Sequence, residues 1–149
     1  MKKTLLWAVL ITCILLVAAC KTVDSGNANR EVSDATFKSI YDRYKTGLIL
    51  NGAGTYTVRS GDTLANISRA FYQDGFYYPI IMLASSDVVL DPDKIDPGMQ
   101  LTIPDLRINL DNANARANIK AFLFEMADVE DNRGRGSTAN GIRQHANSL

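Results

Sequence analysis

Tyr56-Thr57-Val58-Arg59-Ser60-Gly61-Asp62-Thr63-Leu64 reads as a strand, a turn and the start of a helix. Tyr56 and Val58 alternate with polar neighbours, as on a half-buried strand. Ser60-Gly61 marks the turn. Asp62 or Thr63 can cap a helix whose buried face is Leu64, Ile67 and Phe71. Working outward, Gly52-Ala53-Gly54 is a turn signal ahead of the strand, and residues 73–79 form another turn, where Phe76, Tyr77 and Tyr78 cluster. Ile80, Ile81, Leu83 and Ala84 make a second short helix. A long loop over residues 85–97 then leads to a second strand, Gln100-Leu101-Thr102-Ile103, halted by Pro104. The order is strand, helix, helix, strand.

On both sides the pattern turns helical. Ser33 reads as an N-cap, and Phe37, Ile40, Tyr41, Tyr44 and Leu48 recur at helical spacing, which predicts a helix over 34–46 with Gly47 as its stop, within a flanking segment at 33–50. Its aromatic stripe is expected to pack on the domain. Beyond the second strand, Ala115, Ile119, Phe122, Leu123, Met126 and Val129 share one face of a helix over 113–132. Arg133-Gly134-Arg135-Gly136-Ser137 breaks that pattern, and a last helix over about 138–147 carries Ile142, so 113–149 is expected to form a helical hairpin. Asp128, Glu130 and Asp131 read as a solvated face of the hairpin.

The 55–104 stretch resembles a LysM domain. The resemblance rests on the quoted opening, continued by Ile67-Ser68 and Phe71-Tyr72, and on the ending Asp91-Pro92-Asp93-Lys94-Ile95-Asp96-Pro97-Gly98-Met99-Gln100-Leu101-Thr102-Ile103-Pro104. It implies an α+β fold: a β-α-α-β module, with two helices on one face of a two-stranded antiparallel sheet, here with added N- and C-terminal helices. It also implies a shallow groove between two loops that holds N-acetylglucosamine chains of peptidoglycan or chitin. Carried onto this chain, the groove residues are Gly61, Asp62, Thr63 and Leu64, facing Asp91, Pro92, Lys94, Ile95 and Asp96.

Those residue types suit the chemistry. Glycine lets a sugar approach the backbone, and exposed amides can bond an acetamido group. Leu64 or Ile95 can meet the acetamide methyl, while Asp62 and Thr63 can reach hydroxyls. Each has a plainer reading. Gly61 and Asp62 can serve the turn and cap, Pro97-Gly98 reads as turn chemistry, and Leu64 can be core. Many LysM domains carry an asparagine after the second helix, where this chain has Ser85-Ser86-Asp87. A single such module should bind in the micromolar to millimolar range, because few contacts offset the cost of association.

The first 20 residues bear on location. Lys2 and Lys3 precede an uncharged apolar run from Leu5 to Ala19, whose 15 residues fall short of the roughly 20 that span a bilayer. Val17-Ala18-Ala19-Cys20 resembles the lipobox of bacterial lipoproteins. The resemblance implies removal of 1–19 as a signal peptide and attachment of diacylglycerol and further acyl chains (palmitate among them) to Cys20. Several chains at about 0.8 kcal/mol per buried CH₂ anchor durably. Residues 20–32 then read as the lipidated cysteine and a tether spanning about 20 Å. The expected location is the cell envelope, lipid-anchored and facing the periplasm or the wall.

Composition trims the alternatives. Losing 1–19 removes two of the 16 basic side chains and leaves 16 acidic ones, a net of about −2. That balance argues against a nucleic-acid partner. Cys20 would be the one cysteine of the mature chain, so an internal disulfide is excluded and no metal set is expected from it and His145. No cofactor is expected. An enzyme reading is disfavoured: there is no second segment of catalytic size, and His145, the sole histidine, reads as a solvated side chain near the end. The competing reading is a scaffold whose hairpin, or whose Phe76-Tyr77-Tyr78 cluster, docks an envelope protein. Those aromatics either stack on sugar or pack against the added helices.

Overall fold

The computed structural model describes residues 32–149. The expected signal peptide, Cys20 and nearly all of the tether lie outside the described residues. Ser33 opens the first helix, α1 (Asp34–Tyr44), its Oγ accepting from the Thr36 amide at 3.3 Å. Phe37, Ile40 and Tyr41 supply its buried face, and a 3₁₀ turn over Lys45–Gly47 ends it. The helix therefore stops at Tyr44, and the turn completes the run to Gly47. A side chain on Gly47 would collide with Asn118, whose Nδ2 donates to the Tyr44 carbonyl at 2.9 Å.

Strand β1 (Gly54–Thr57) pairs antiparallel with β2 (Gln100–Ile103), and Tyr56 faces Leu101 across the ladder. The pairing continues one residue beyond the strands. The Val58 amide donates to the Met99 carbonyl, and the Gly98 amide donates to the Val58 carbonyl, both at 2.9 Å. Helices α2 (Leu64–Tyr72) and α3 (Tyr78–Ala84) lie between the strands in sequence; α3 packs on β2 and α2 packs on α3. Thr63 caps α2, accepting from the Asn66 amide at 3.2 Å. Pro79 sits in the first turn of α3, where a missing amide costs nothing. The molecule is thus the expected mixed α+β arrangement of a two-stranded antiparallel sheet with helices, consistent with a LysM module plus flanking helices.

After β2 the chain does something the sequence reading omits. Pro104 stops the strand, and Asp105 immediately caps a short helix, α4 (Leu106–Asp111), accepting from the Ile108 amide at 2.9 Å. Asn109 on this helix is fully buried and makes a two-way bond with the Ile49 backbone, at 2.8 and 2.9 Å. Then come α5 (Ala113–Asn132) and α6 (Gly136–Ser148), packed against each other as a hairpin.

The core is shared between the module and its additions. Phe37 and Tyr41 of α1, Ile80 to Leu83 of α3, Leu101 of β2, and Ile119, Phe122, Leu123 and Met126 of α5 are all almost fully buried in one cluster. Tyr41 stands 6.1 Å from Phe122, ring centre to ring centre, and its hydroxyl donates to the Leu90 carbonyl at 2.6 Å. So small a sheet has little core of its own, and the added helices complete it.

Two sequence expectations are corrected. Phe71 leaves the buried face of α2: it is 48% exposed and packs edge-on against Tyr56, ring centres 5.7 Å apart. Serine takes its place inward, since Ser68 is fully buried and donates to the Asp74 carbonyl at 2.6 Å. Glu130 leaves the solvated face of the hairpin: it is 1% exposed, and Tyr78 donates to its Oε1 at 3.0 Å. Among the described residues, no helix is long and apolar enough to cross a membrane.

Candidate functional site

Two loops leave the sheet together at Val58 and Gly98. The upper one, residues 59–63, is stiffened from within. The Asp62 Oδ2 accepts from the Tyr56 hydroxyl at 2.7 Å and from the Arg59 amide at 2.8 Å, and the Asp62 amide donates to the Arg59 carbonyl at 3.1 Å. The Arg59 amide, and next the Tyr56 hydroxyl, hold the Asp62 carboxyl below its ordinary range. That same carboxylate pushes the Tyr56 hydroxyl above its own. Gly61 sits at the tip with φ +86°, a conformation that favours glycine, and is exposed. Asp62 therefore builds the loop, with both hydrogen bonds on one oxygen.

The lower loop, residues 85–99, hangs from the core. Ser85 is buried and links α3 to β2 by accepting from the Thr102 amide at 2.9 Å. Val89 is fully buried. Asp91 is the anchor: at 2% exposure, its Oδ1 accepts from Arg133 at 3.0 Å and from the Asp93 amide at 3.0 Å. Arg133 in turn is 5% exposed, reaches Asp93 Oδ2 at 2.5 Å and stacks over Phe37 at 5.7 Å. Arg135 spans both Asp93 oxygens at 2.8 and 2.9 Å and pairs with Glu130 at 2.5 Å. Burial raises the Glu130 carboxyl above its usual range, against the pull of Arg135 and Tyr78. Lys94 lies 3.1 Å from Asp34 and 3.7 Å from Asp91. This chain of charges fastens the lower loop to the turn between α5 and α6.

The expected groove residues divide accordingly. Gly61, Thr63, Lys94 and Asp96 are exposed, and Asp62, Pro92 and Ile95 are partly exposed. These seven can meet a ligand lying between the loops. Leu64 is 3% exposed and belongs to the core cluster. The expected sugar contact through the Asp91 side chain does not fit its burial, and its place is in positioning the loop through Arg133. Thr63, Leu64 and Pro92 come together around a cavity of about 160 Å³, whose walls also include Ala65, Tyr78, Asp93, Glu130, Arg135 and Thr138. Reading the sequence missed the last three because nothing local marks them. A larger open depression of about 670 Å³ lies at the other end of the strand pair, beside Gly54, Phe71, Ile103 and Pro104.

The aromatic cluster packs against the added helices. Tyr78 is 6% exposed, and Phe76 and Tyr77 lie 5.4 and 5.2 Å from the His145 ring. His145 is correspondingly not a free surface side chain. Its Nε2 stands 2.5 Å from Asp74 Oδ2 and its Nδ1 2.8 Å from the Gly141 carbonyl.

Residues 56–104, about a third of the chain, which include both loops, match the family model of the LysM domain. Among individual proteins, the chain is similar to the potassium binding protein Kbp of Escherichia coli O6:H1, with 40% identity over 67 residues. That stretch is 45% of this chain and 45% of the relative, so the similarity spans less than half of either. No solved structure matches the chain.

Proposed function

We propose that this chain is an envelope lipoprotein that grips peptidoglycan non-covalently through one LysM module, held to a membrane by acyl chains on Cys20. The observation that carries the reading is the match of residues 56–104 to the LysM domain, a glycan-binding family. The loop geometry supports it. Gly61, Thr63, Pro92, Ile95 and Asp96 stand along the two loops, while Asp62 and Asp91 brace the banks from inside. Small polar groups and short apolar surfaces of this kind suit the hydroxyls and acetamido groups of N-acetylhexosamines. The module acts by binding rather than by catalysis. Tethering near the wall would raise the effective concentration of a weak site.

Co-sedimentation of the processed, acylated chain, residues 20–149, in mild detergent, with purified peptidoglycan is the test. Wild type should pellet with the wall, and Ile95→Ala, still folded by circular dichroism, should lose about tenfold in affinity, near 1.4 kcal/mol. Wild type left in the supernatant at high concentration would refute wall binding and favour docking of an envelope protein on the hairpin. The similarity to a potassium binding protein supports a second reading, in which the module takes part in binding potassium. Repeating the assay in sodium and in potassium buffers, with direct potassium titration, separates the two.

A further inference from the structure

The two loops that bound the proposed groove start together at the sheet and run to residues 63–65 on one bank and 92–93 on the other. At that far end the hairpin supplies part of the lining. The 160 Å³ cavity there is walled by Thr63, Leu64 and Ala65 on one side, Pro92 and Asp93 on the other, and Arg135 and Thr138 of the hairpin across the end. The wall is fixed in place. Arg135 holds both oxygens of Asp93, and Arg133 holds Asp91, so the turn between α5 and α6 is bonded to the lower bank. Gly136 then begins α6, which carries Thr138 to the side of Thr63 and Ala65 on the upper bank. The hairpin therefore bridges both banks.

We infer that the C-terminal hairpin closes one end of the glycan groove and forms a terminal subsite for the uncharged end sugar of an N-acetylhexosamine chain. The inference rests on the glycan reading above. Its size argument is simple: about 160 Å³ falls below the roughly 300 Å³ at which small-molecule pockets begin, which suits one ring or its acetamido arm. Charge argues for a neutral occupant. Asp91, Asp93 and Glu130 are matched there by Arg133, Arg135 and Lys94, and an anionic group would have to displace Asp93 and Glu130 from Arg135. Half-exposed Asp93 and the partly exposed Arg135 can share hydrogen bonds with an amide, and Pro92 and Ala65 can meet its methyl. A closed groove takes chain ends, whereas an open one takes any internal stretch of a strand.

Isothermal titration of the processed chain, residues 20–149 in mild detergent, with N-acetylglucosamine oligomers of two to eight units distinguishes these. The expected stoichiometry is one protein per oligomer at every length, with affinity levelling off once the groove is filled. Thr138→Trp, which fills the cavity from a partly exposed position, should weaken binding at least tenfold while its circular dichroism and melting temperature stay those of wild type. Two proteins on one octamer, affinity that keeps climbing with length, or a folded Thr138→Trp that binds as wild type would each overturn the closed end while leaving glycan binding intact. Wild type that binds neither oligomers nor peptidoglycan overturns both readings together.

Discussion

Asp62 and Asp91 are both aspartates on the two loops that leave the sheet, and their environments give them different work. Asp62 is turned into its own loop, where the Arg59 amide and the Tyr56 hydroxyl lower its carboxyl. A carboxylate lowered by folding stabilises above its unfolded pKa, and that contribution is lost as pH falls through the folded value. The loop should therefore keep its bonds at about pH 4, where an ordinary aspartate is half protonated, and release them only in stronger acid. The Arg59 amide shift in an NMR pH titration reports this step, and Asp62→Asn should abolish it. Asp91 is a buried partner in an ion pair with Arg133, 3.0 Å away. Arg133→Ala strands it, with half-exposed Lys94 as its nearest charge. Breaking a buried pair from one side costs about 3–5 kcal/mol, and urea denaturation should show a loss of that order. A double-mutant cycle with Asp91→Asn should show strong coupling between the two sites. Glu130 runs the opposite way: burial raises its carboxyl, so its contribution is greatest when it is protonated and declines as pH rises through its folded value.

At the scale of elements, the proposed groove end requires a hairpin that docks in one position. Two contacts of α6 against the 73–77 turn fix it. The His145 ring lies against Phe76 and Tyr77 and bonds Asp74, and Gly141 faces Phe76 so closely that an added Cβ would sit 2.3 Å from the ring. Glycine inside a helix ordinarily costs about 1 kcal/mol relative to alanine. Gly141→Ala should reverse that ordinary gain, because the methyl must drive the Phe76 ring from its place beside His145. The expected result is a lower melting temperature with faster amide exchange at the end of α6. A rise in melting temperature would show that Phe76 is not held there. Helix α4 makes a related point about legibility. Its signals, Pro104 followed by the Asp105 cap and then Leu106 and Leu110, were present, yet Pro104 reads equally as the end of a strand, and six residues offer too short a period to decide.

Among the described residues, the module and its flanking helices share one core. Phe37, Tyr41, Leu101, Phe122 and Met126 belong to one cluster, so α1 and α5 supply walls that a four-element module lacks. A chain ended after Asn112 should lose its cooperative urea transition and its near-ultraviolet dichroism, because it exposes Phe37, Tyr41 and Tyr78 together. A truncated chain that unfolds cooperatively would show that the module stands alone.

The local signals were enough for the order strand, helix, helix, strand and for the helices on either side. A cap such as Thr63 bonds an amide three residues on, and an apolar stripe such as Ile119, Phe122, Leu123 and Met126 is spaced by the helix itself. They also placed Gly61, Thr63, Pro92 and Ile95 on the two loops. Only the tertiary structure decided that Asp91 is an anchor, that Glu130 is buried, that His145 has a partner, and that Arg135 and Thr138 line a cavity with Thr63 and Pro92. Their partners lie far along the chain: 42 residues separate Asp91 from Arg133, 52 separate Tyr78 from Glu130, and 71 separate Asp74 from His145. Periodicity and capping report only on neighbours within a turn or two. The burial of a charge depends on which elements pack together, and that is settled by the shared core.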